Sequence, residues 1–149
     1  MENFYKYEEM FVGFMRRWSL HILRWSLGIV YVWFGALKLM GTSPVLDLIR
    51  GLHPNYPEPI FCIILGVWEV LIGLGFLSGK FLRTTLVLMW AQMGGIMISL
   101  LTDPQFFFQA TSPMSLTYDG EFLIKNLVLI AASLVIAGYS LKPRVRAIP

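Results

Sequence analysis

Four stretches of the chain, near 19–40, 60–79, 82–102 and 121–140, are continuously apolar. A helix needs roughly 20 such residues to cross a hydrocarbon layer about 30 Å thick. The runs do not alternate as barrel strands do. Lipid also requires backbone hydrogen bonds to close within each segment, so the pattern predicts helices. Gly41, Pro57, Pro59 and Gly79 fall between runs, where helix breakers belong. Only Gly79-Lys80-Phe81 separates the second run from the third, which predicts an antiparallel hairpin. The chain reads as an all-α integral membrane four-helix bundle.

Within each run, polar and small residues return at helical spacing. The first carries Arg17, His21, Arg24, Gly28, Tyr31, Gly35 and Lys38 at alternating steps of four and three. The second carries Cys62, Gly66, Glu69 and Gly73, and the third Thr85, Gln92, Gly95, Ser99 and Thr102. The fourth has Glu121 and Lys125 one turn apart, with Asn126 beside them and Ser133 deeper. One polar stripe per helix predicts a bundle interior that is wet or ion-paired.

Basic residues set the expected topology, because cytoplasmic loops collect them. Lys6, Arg16 and Arg17 precede the first run, Lys80 and Arg83 flank the short turn, and Lys142, Arg144 and Arg146 follow the last. The loops 41–59 and 103–120 hold Arg50 against Asp47, Glu58, Asp103 and Asp119. Both termini are therefore expected on the cytoplasmic side of an inner membrane. Residues 1–18 are expected to form an interfacial segment, with Phe4, Met10, Phe11 and Phe14 dipping into the headgroups. Glu2, Glu8 and Glu9 argue against a cationic signal peptide there. The bundle is expected over 19–140, with a basic cytoplasmic tail over 141–149. In the first outer loop, Ser43-Pro44 reads as the start of a short amphipathic half-helix carrying Val45, Leu48, Ile49 and Leu52. Phe106-Phe107-Phe108 in the second outer loop reads as an interfacial aromatic anchor.

Composition agrees with a lipid-solvated chain. Of 149 residues, 56% are hydrophobic and 14% charged, and mean hydropathy is +0.65. Soluble domains carry about 25% charged residues. The net charge of +3 lies at membrane ends rather than in a nucleic-acid-binding patch. A single cysteine, Cys62, allows neither an internal disulfide nor a cysteine metal site. His21 sits at the inner end of the first span and His53 in the outer loop, with about 25 Å of helix between them, too far to clamp one haem. The sequence offers no HExxH, dinucleotide fingerprint or supported catalytic triad, so no covalent or metal cofactor is expected.

Candidate chemistry concentrates in one place. Ionisable groups within a span cost roughly 2.5–3.5 kcal/mol each and should face the bundle interior. Glu69 lies at mid-span, and Lys38 and Lys125 lie nearer the outer surface. Together with Gln92, Ser99 and Tyr31 they outline an outer-half cavity roofed by the half-helix around His53. Glu69 is expected to meet Lys38 or Lys125, directly or through Gln92 or water. Either the cluster holds helices in register as a buried ion pair, or it serves a ligand or a proton. His21, Arg24, His53, Glu121 and Asn126 are secondary candidates, with His21 and Arg24 also suited to anchoring the inner interface. Trp33, Trp68 and Trp90, off the stripes, are expected to pack.

RWSLGIVYVWFGALKL in the first run, GVWEVLIGLGFL in the second and LTYDGEFLIKNLVLIAASLVI in the fourth carry a resemblance. In that order, with Lys38, Glu69 and GEFLIKN embedded, they resemble the DoxX-like family of small four-span membrane proteins. The likeness covers about residues 20–140. TYDGEFLIKN also resembles the related DUF417 membrane proteins linked to oxidant resistance. The resemblance implies a four-helix bundle associated with respiratory or redox systems, with quinone or bound lipid as ligand. Such families include the membrane subunit of thiosulfate:quinone oxidoreductase and assembly chaperones. Three function classes follow: a quinone-contacting or non-catalytic subunit of a redox complex; an assembly factor or structural subunit binding another membrane protein or a second copy; and a small transporter or proton pathway.

Overall fold

Four helices dominate the computed structural model: α1 (Glu2–Leu39), α2 (Glu58–Ser78), α3 (Leu82–Thr102) and α4 (Tyr118–Ser140). The structure describes residues 2–43, 51, 58–109 and 112–142. The half-helix expected after Pro44, His53 with it, and the tail beyond Lys142 lie outside the described residues, Gly51 excepted. All four helices are long and apolar enough to cross a membrane. Trp33, Ile63, Leu71, Val87, Ile98 and Val128 stand exposed on their flanks, a surface that suits lipid and not water. This is a multi-pass membrane protein with an all-α bundle.

The expected boundaries differ most at the start. The segment expected as separate and interfacial continues into the first span without a break, as one helix of 38 residues. At 1.5 Å per residue α1 is about 57 Å long, nearly twice the hydrocarbon thickness. Phe4, Met10, Phe11 and Phe14 are all exposed along this extension.

Backbone chemistry ends the helices where the breakers stand. Gly41, at φ +71°, closes α1: its N–H donates to the Lys38 carbonyl, and Thr42 N–H donates to the Leu37 carbonyl. This paired closure satisfies the last-turn carbonyls and needs the left-handed glycine. Gly79, at φ +67°, turns α2 into α3 in the same region of backbone space. Thr117 caps α4, its hydroxyl accepting from Gly120 N–H at 3.1 Å.

Glycine spacing sets the tightest contact. Gly28 and Gly35 of α1 face Gly73 and Gly66 of antiparallel α2. A Cβ on Gly35 would stand 2.7 Å from the Gly66 carbonyl oxygen, and one on Gly73 would stand 2.7 Å from that of Gly28. Backbone thus meets backbone along this seam. Leu27, Tyr31, Ile72, Phe76, Leu86, Met89 and Ile136 fill the core beside it.

The second long connection holds structure that the apolar pattern did not suggest. A 3-10 turn (Pro104–Phe106) leads into a small antiparallel hairpin, β1 (Phe108–Gln109) and β2 (Ser112–Leu116). Phe108 pairs with Leu116 and Gln109 with Ser112, with an irregular register between. The aromatic triple does not act as a lipid anchor throughout, since Phe107 turns inward and is 1% exposed. Thr117 holds it there: its N–H donates to the Phe107 carbonyl at 3.0 Å, and its hydroxyl donates to the Phe106 carbonyl at 2.7 Å. Gly120 leaves space for the Phe107 carbonyl, which any Cβ would occupy.

Candidate ligand cavity

Lys38 lies in the last turn of α1, where a cation suits the helix dipole, and Glu69 lies in the middle of α2. The Gly35–Gly66 contact brings these two backbones close and aims both side chains at one point. Lys38 Nζ donates to Glu69 Oε2 at 2.7 Å, with the two side chains 7% and 10% exposed. From α3, Gln92 Nε2 donates to Glu69 Oε1 at 2.7 Å. Both carboxylate oxygens are therefore paired, and three helices are tied through Glu69.

This cluster forms part of the wall of a cavity of about 700 Å³ between α1, α2, α3 and α4. Apolar residues make most of the lining, among them Phe34, Trp68, Ile96, Phe122 and Leu129, and Phe107 contributes at the hairpin. Tyr31, Lys38, Glu69, Gln92, Ser99 and Asn126 supply polar groups, while Asp119 and Lys125 contribute charge. Three polar atoms of lining residues are buried without a partner: Tyr31 Oη, Gln92 Oε1 and Asn126 Nδ2. Tyr31 is 4% and Asn126 3% exposed. Leaving such an atom unpaired costs about 1–3 kcal/mol. Buried polar atoms of this kind call for a partner, and the cavity has room for one.

The candidates named from sequence separate into those the cavity collects and those it does not. Lys38, Glu69, Gln92, Tyr31 and Asn126 gather around it. Ser99 lines it, its hydroxyl donating to the Gly95 carbonyl at 3.3 Å, without reaching Glu69. Lys125 does not join Glu69 either; its ammonium is 3.9 Å from Glu121, in a pair whose side chains are 74% and 59% exposed. Successive helical residues are about 100° apart. Asn126 faces inward, so Lys125 is rotated toward the surface. His21 is exposed, with its ring edge 6.1 Å from the Trp18 ring. Arg24 lies over the Gly79 turn, where its Nη1 would stand 2.6 Å from a Cβ. Its Nε is buried without a partner.

Other contacts escaped the sequence reading. Trp90 Nε1 donates to Ser133 Oγ at 2.8 Å, and that hydroxyl donates to the Ile130 carbonyl at 2.7 Å, tying α3 to α4. Trp68 Nε1 donates to the Leu88 carbonyl at 3.1 Å. Trp33, expected to pack, is instead 64% exposed. Inward Ser133 and inward Asn126 lie seven residues apart, a spacing that marks Asn126 as facing the interior. Among the described residues no three His, Cys, Asp or Glu side chains gather as a metal site. No protein-family model, curated protein or solved structure matches the chain.

Proposed function

We propose that the protein is a quinone-contacting membrane subunit of a respiratory or redox complex, of DoxX-like kind. The observation that carries this reading is an apolar cavity whose buried charges, Lys38 and Glu69, neutralise each other, with unpaired neutral hydrogen-bonding groups beside them. Lys38 and Glu69 cancel, so the buried part of the lining has no net charge to offer an anionic or cationic head. Tyr31 and Asn126 have donors for a carbonyl oxygen, and the apolar lining accepts a ring and an isoprenoid tail. The chain binds and positions this ligand, and electrons come from a partner subunit. The clustering of Arg16, Arg17, Lys80, Arg83 and Lys142 around one end favours an inner membrane with both termini cytoplasmic.

The test is extraction of the protein in mild detergent, followed by quantification of co-purified quinone. Near-stoichiometric quinone that falls in a Tyr31→Phe/Asn126→Leu variant supports the reading. No quinone, and no binding of added short-tail benzoquinone, sinks it.

A second reading, an assembly or structural subunit that holds another membrane protein or a second copy, draws on the exposed α1 extension. Tyr5, Tyr7, Met10, Phe11, Phe14 and Trp18 are uncovered along it. Removing residues 2–15 should then release a partner that accompanies the intact chain through gentle extraction. A chain that migrates alone before the truncation removes this reading.

A further inference from the structure

Gln92 has one end fixed by chemistry. Glu69 is ion-paired to Lys38, and a carboxylate in such a pair accepts hydrogen bonds, so the amide group facing it at 2.7 Å is the Nε2 donor. The other end is then an oxygen, and Gln92 Oε1 is buried and unpaired at the cavity wall. An amide flip would bring oxygen against oxygen beside Glu69. Lys38 Nζ donates to the other carboxylate oxygen at 2.7 Å. The unpaired set at the cavity therefore comprises one obligatory acceptor, Gln92 Oε1, one obligatory donor, Asn126 Nδ2, and the Tyr31 hydroxyl, which can do either.

A quinone ring offers only carbonyl acceptors. It could pair with Asn126 and Tyr31 but would leave Gln92 Oε1 buried opposite another oxygen. A quinol carries O–H groups that donate to Gln92 Oε1 and whose oxygens also accept. We infer that the cavity selects the reduced, hydroxyl-bearing form of its ligand, with Gln92 Oε1 as the acceptor that reads the ligand O–H. The inference rests on the quinone-contacting reading and deepens it: the chain retains quinol in preference to quinone. Charge enters through the Lys38–Glu69 pair, which orients Gln92; Lys125 stands 3.9 Å from Glu121 with both side chains exposed, and Asp119 lies at the lining. The shared chemistry, a neutral head with a hydroxyl and an acceptor oxygen, also belongs to diacylglycerol, which has no aromatic ring.

The test uses the full chain in lipid nanodiscs under anaerobic conditions, with quenching of tryptophan fluorescence as the binding signal. The probes are a short-tail benzoquinone, its quinol, the dimethyl ether of that quinol, and diacylglycerol as competitor. An unpaired buried acceptor lowers affinity on the order of tenfold or more. The quinol should therefore bind at least about tenfold tighter than either the quinone or the dimethyl ether. In Gln92→Met the preference should fall toward one, whereas Tyr31→Phe should weaken both forms and preserve it. If Gln92→Met does not fold, the wild-type comparison of quinol with its dimethyl ether decides alone. Equal affinity for the quinone, the quinol and the dimethyl ether overturns the selection of quinol and leaves the quinone-contacting reading intact. Binding of none of them overturns that reading as well. Displacement of the quinol by diacylglycerol at equal concentration overturns the assignment to an aromatic head.

Discussion

Gly28, Gly35, Gly66 and Gly73 draw α1 and α2 together until carbonyl oxygens touch the opposing backbone. Gly94, Gly95 and Gly138 on α3 and α4 have no heavy atom within 4 Å of where a Cβ would stand. Lipid tails are as apolar as leucine, so burial of apolar surface cannot by itself close two helices in a membrane. Closure comes where small residues on both partners coincide in register. The α1–α2 seam meets that condition twice, seven residues apart on each helix. The α3–α4 side meets it nowhere among the described residues and is held by side-chain hydrogen bonds such as Trp90 to Ser133. The cavity lies between this side and the seam, lined by residues of all four helices. Lys38, Glu69 and Gln92 span the boundary, and they connect the closely packed half to the other.

The largest effect should come from breaking that connection. Lys38→Met leaves Glu69 as a buried carboxylate without its cation, which costs on the order of 3–5 kcal/mol. Thermal unfolding in detergent should show a large loss. The double variant Lys38→Met/Glu69→Met should recover most of it, because two apolar side chains of similar volume need no partner. The surface pair Glu121–Lys125 should be worth about 0–1 kcal/mol by the same measurement. A single variant as mild as Lys125→Met would mean that the buried pair is not the joint between the halves.

Next in size is the seam itself. Gly35→Ala sets a methyl 2.7 Å from the Gly66 carbonyl oxygen and 2.9 Å from the Val70 nitrogen, neither of which can turn aside as a side chain could. Overpacking of this kind costs about 1–3 kcal/mol. Gly73→Ala should behave alike, meeting the Gly28 carbonyl oxygen and the Val32 nitrogen at 2.7 Å each. Circular dichroism melts on matched preparations would check both, and an unchanged midpoint in either would contradict the backbone contact.

The difference between the halves also explains what could be read in the sequence. The four spans were legible because a hydrocarbon layer imposes a minimum length and forbids unpaired backbone, and both demands leave marks in a linear pattern. Lys38, Glu69 and Gln92 were legible because ionisable and amide groups in a span have to face inward. Lys125 lines the cavity as expected but does not reach Glu69, because it stands one position before Asn126, and a shift of one residue turns a helical side chain by about 100°. Phe107 misled for another reason: a phenylalanine is equally apolar against lipid and against protein, so its burial depends on Thr117 and Gly120, which act through backbone contacts. The glycines pose the same difficulty. Gly35 and Gly94 look alike in a string, and only the facing residue separates a seam from an open face.

A smaller effect is expected on the loose side. Trp90→Phe keeps a ring but removes the donor to Ser133, and loss of one such bond costs about 0.5–1.5 kcal/mol. Ser133 is 0% exposed and still donates to the Ile130 carbonyl, so it remains satisfied as a donor. The melt should shift down modestly, and ligand affinity should change with it if α3 and α4 set the cavity width. A shift as large as that of Gly35→Ala would show that the α3–α4 side is as tightly determined as the seam.

The smallest effect, and the one that tests the contrast most directly, belongs to Gly94→Ala. The added methyl meets nothing within 4 Å, so no packing is lost. In an exposed helix interior alanine is favoured over glycine by about 1 kcal/mol, since glycine gives up more backbone freedom on folding. Within a lipid-facing helix that figure is an upper limit, because the chain stays helical even when helices separate and most of the gain cancels. The melting midpoint should therefore stay within error of the parent or rise slightly. Gly94 sits on α3 one residue before the cavity-lining Gly95, so the comparison holds helix and depth nearly constant. A clear loss of stability in Gly94→Ala would mean that this face is covered in the membrane, by a partner or a second copy approaching as closely as α2 approaches α1. Cysteine cross-linking at position 94 would then identify what lies there, and the division into a closed half and an open half would apply only to the isolated chain.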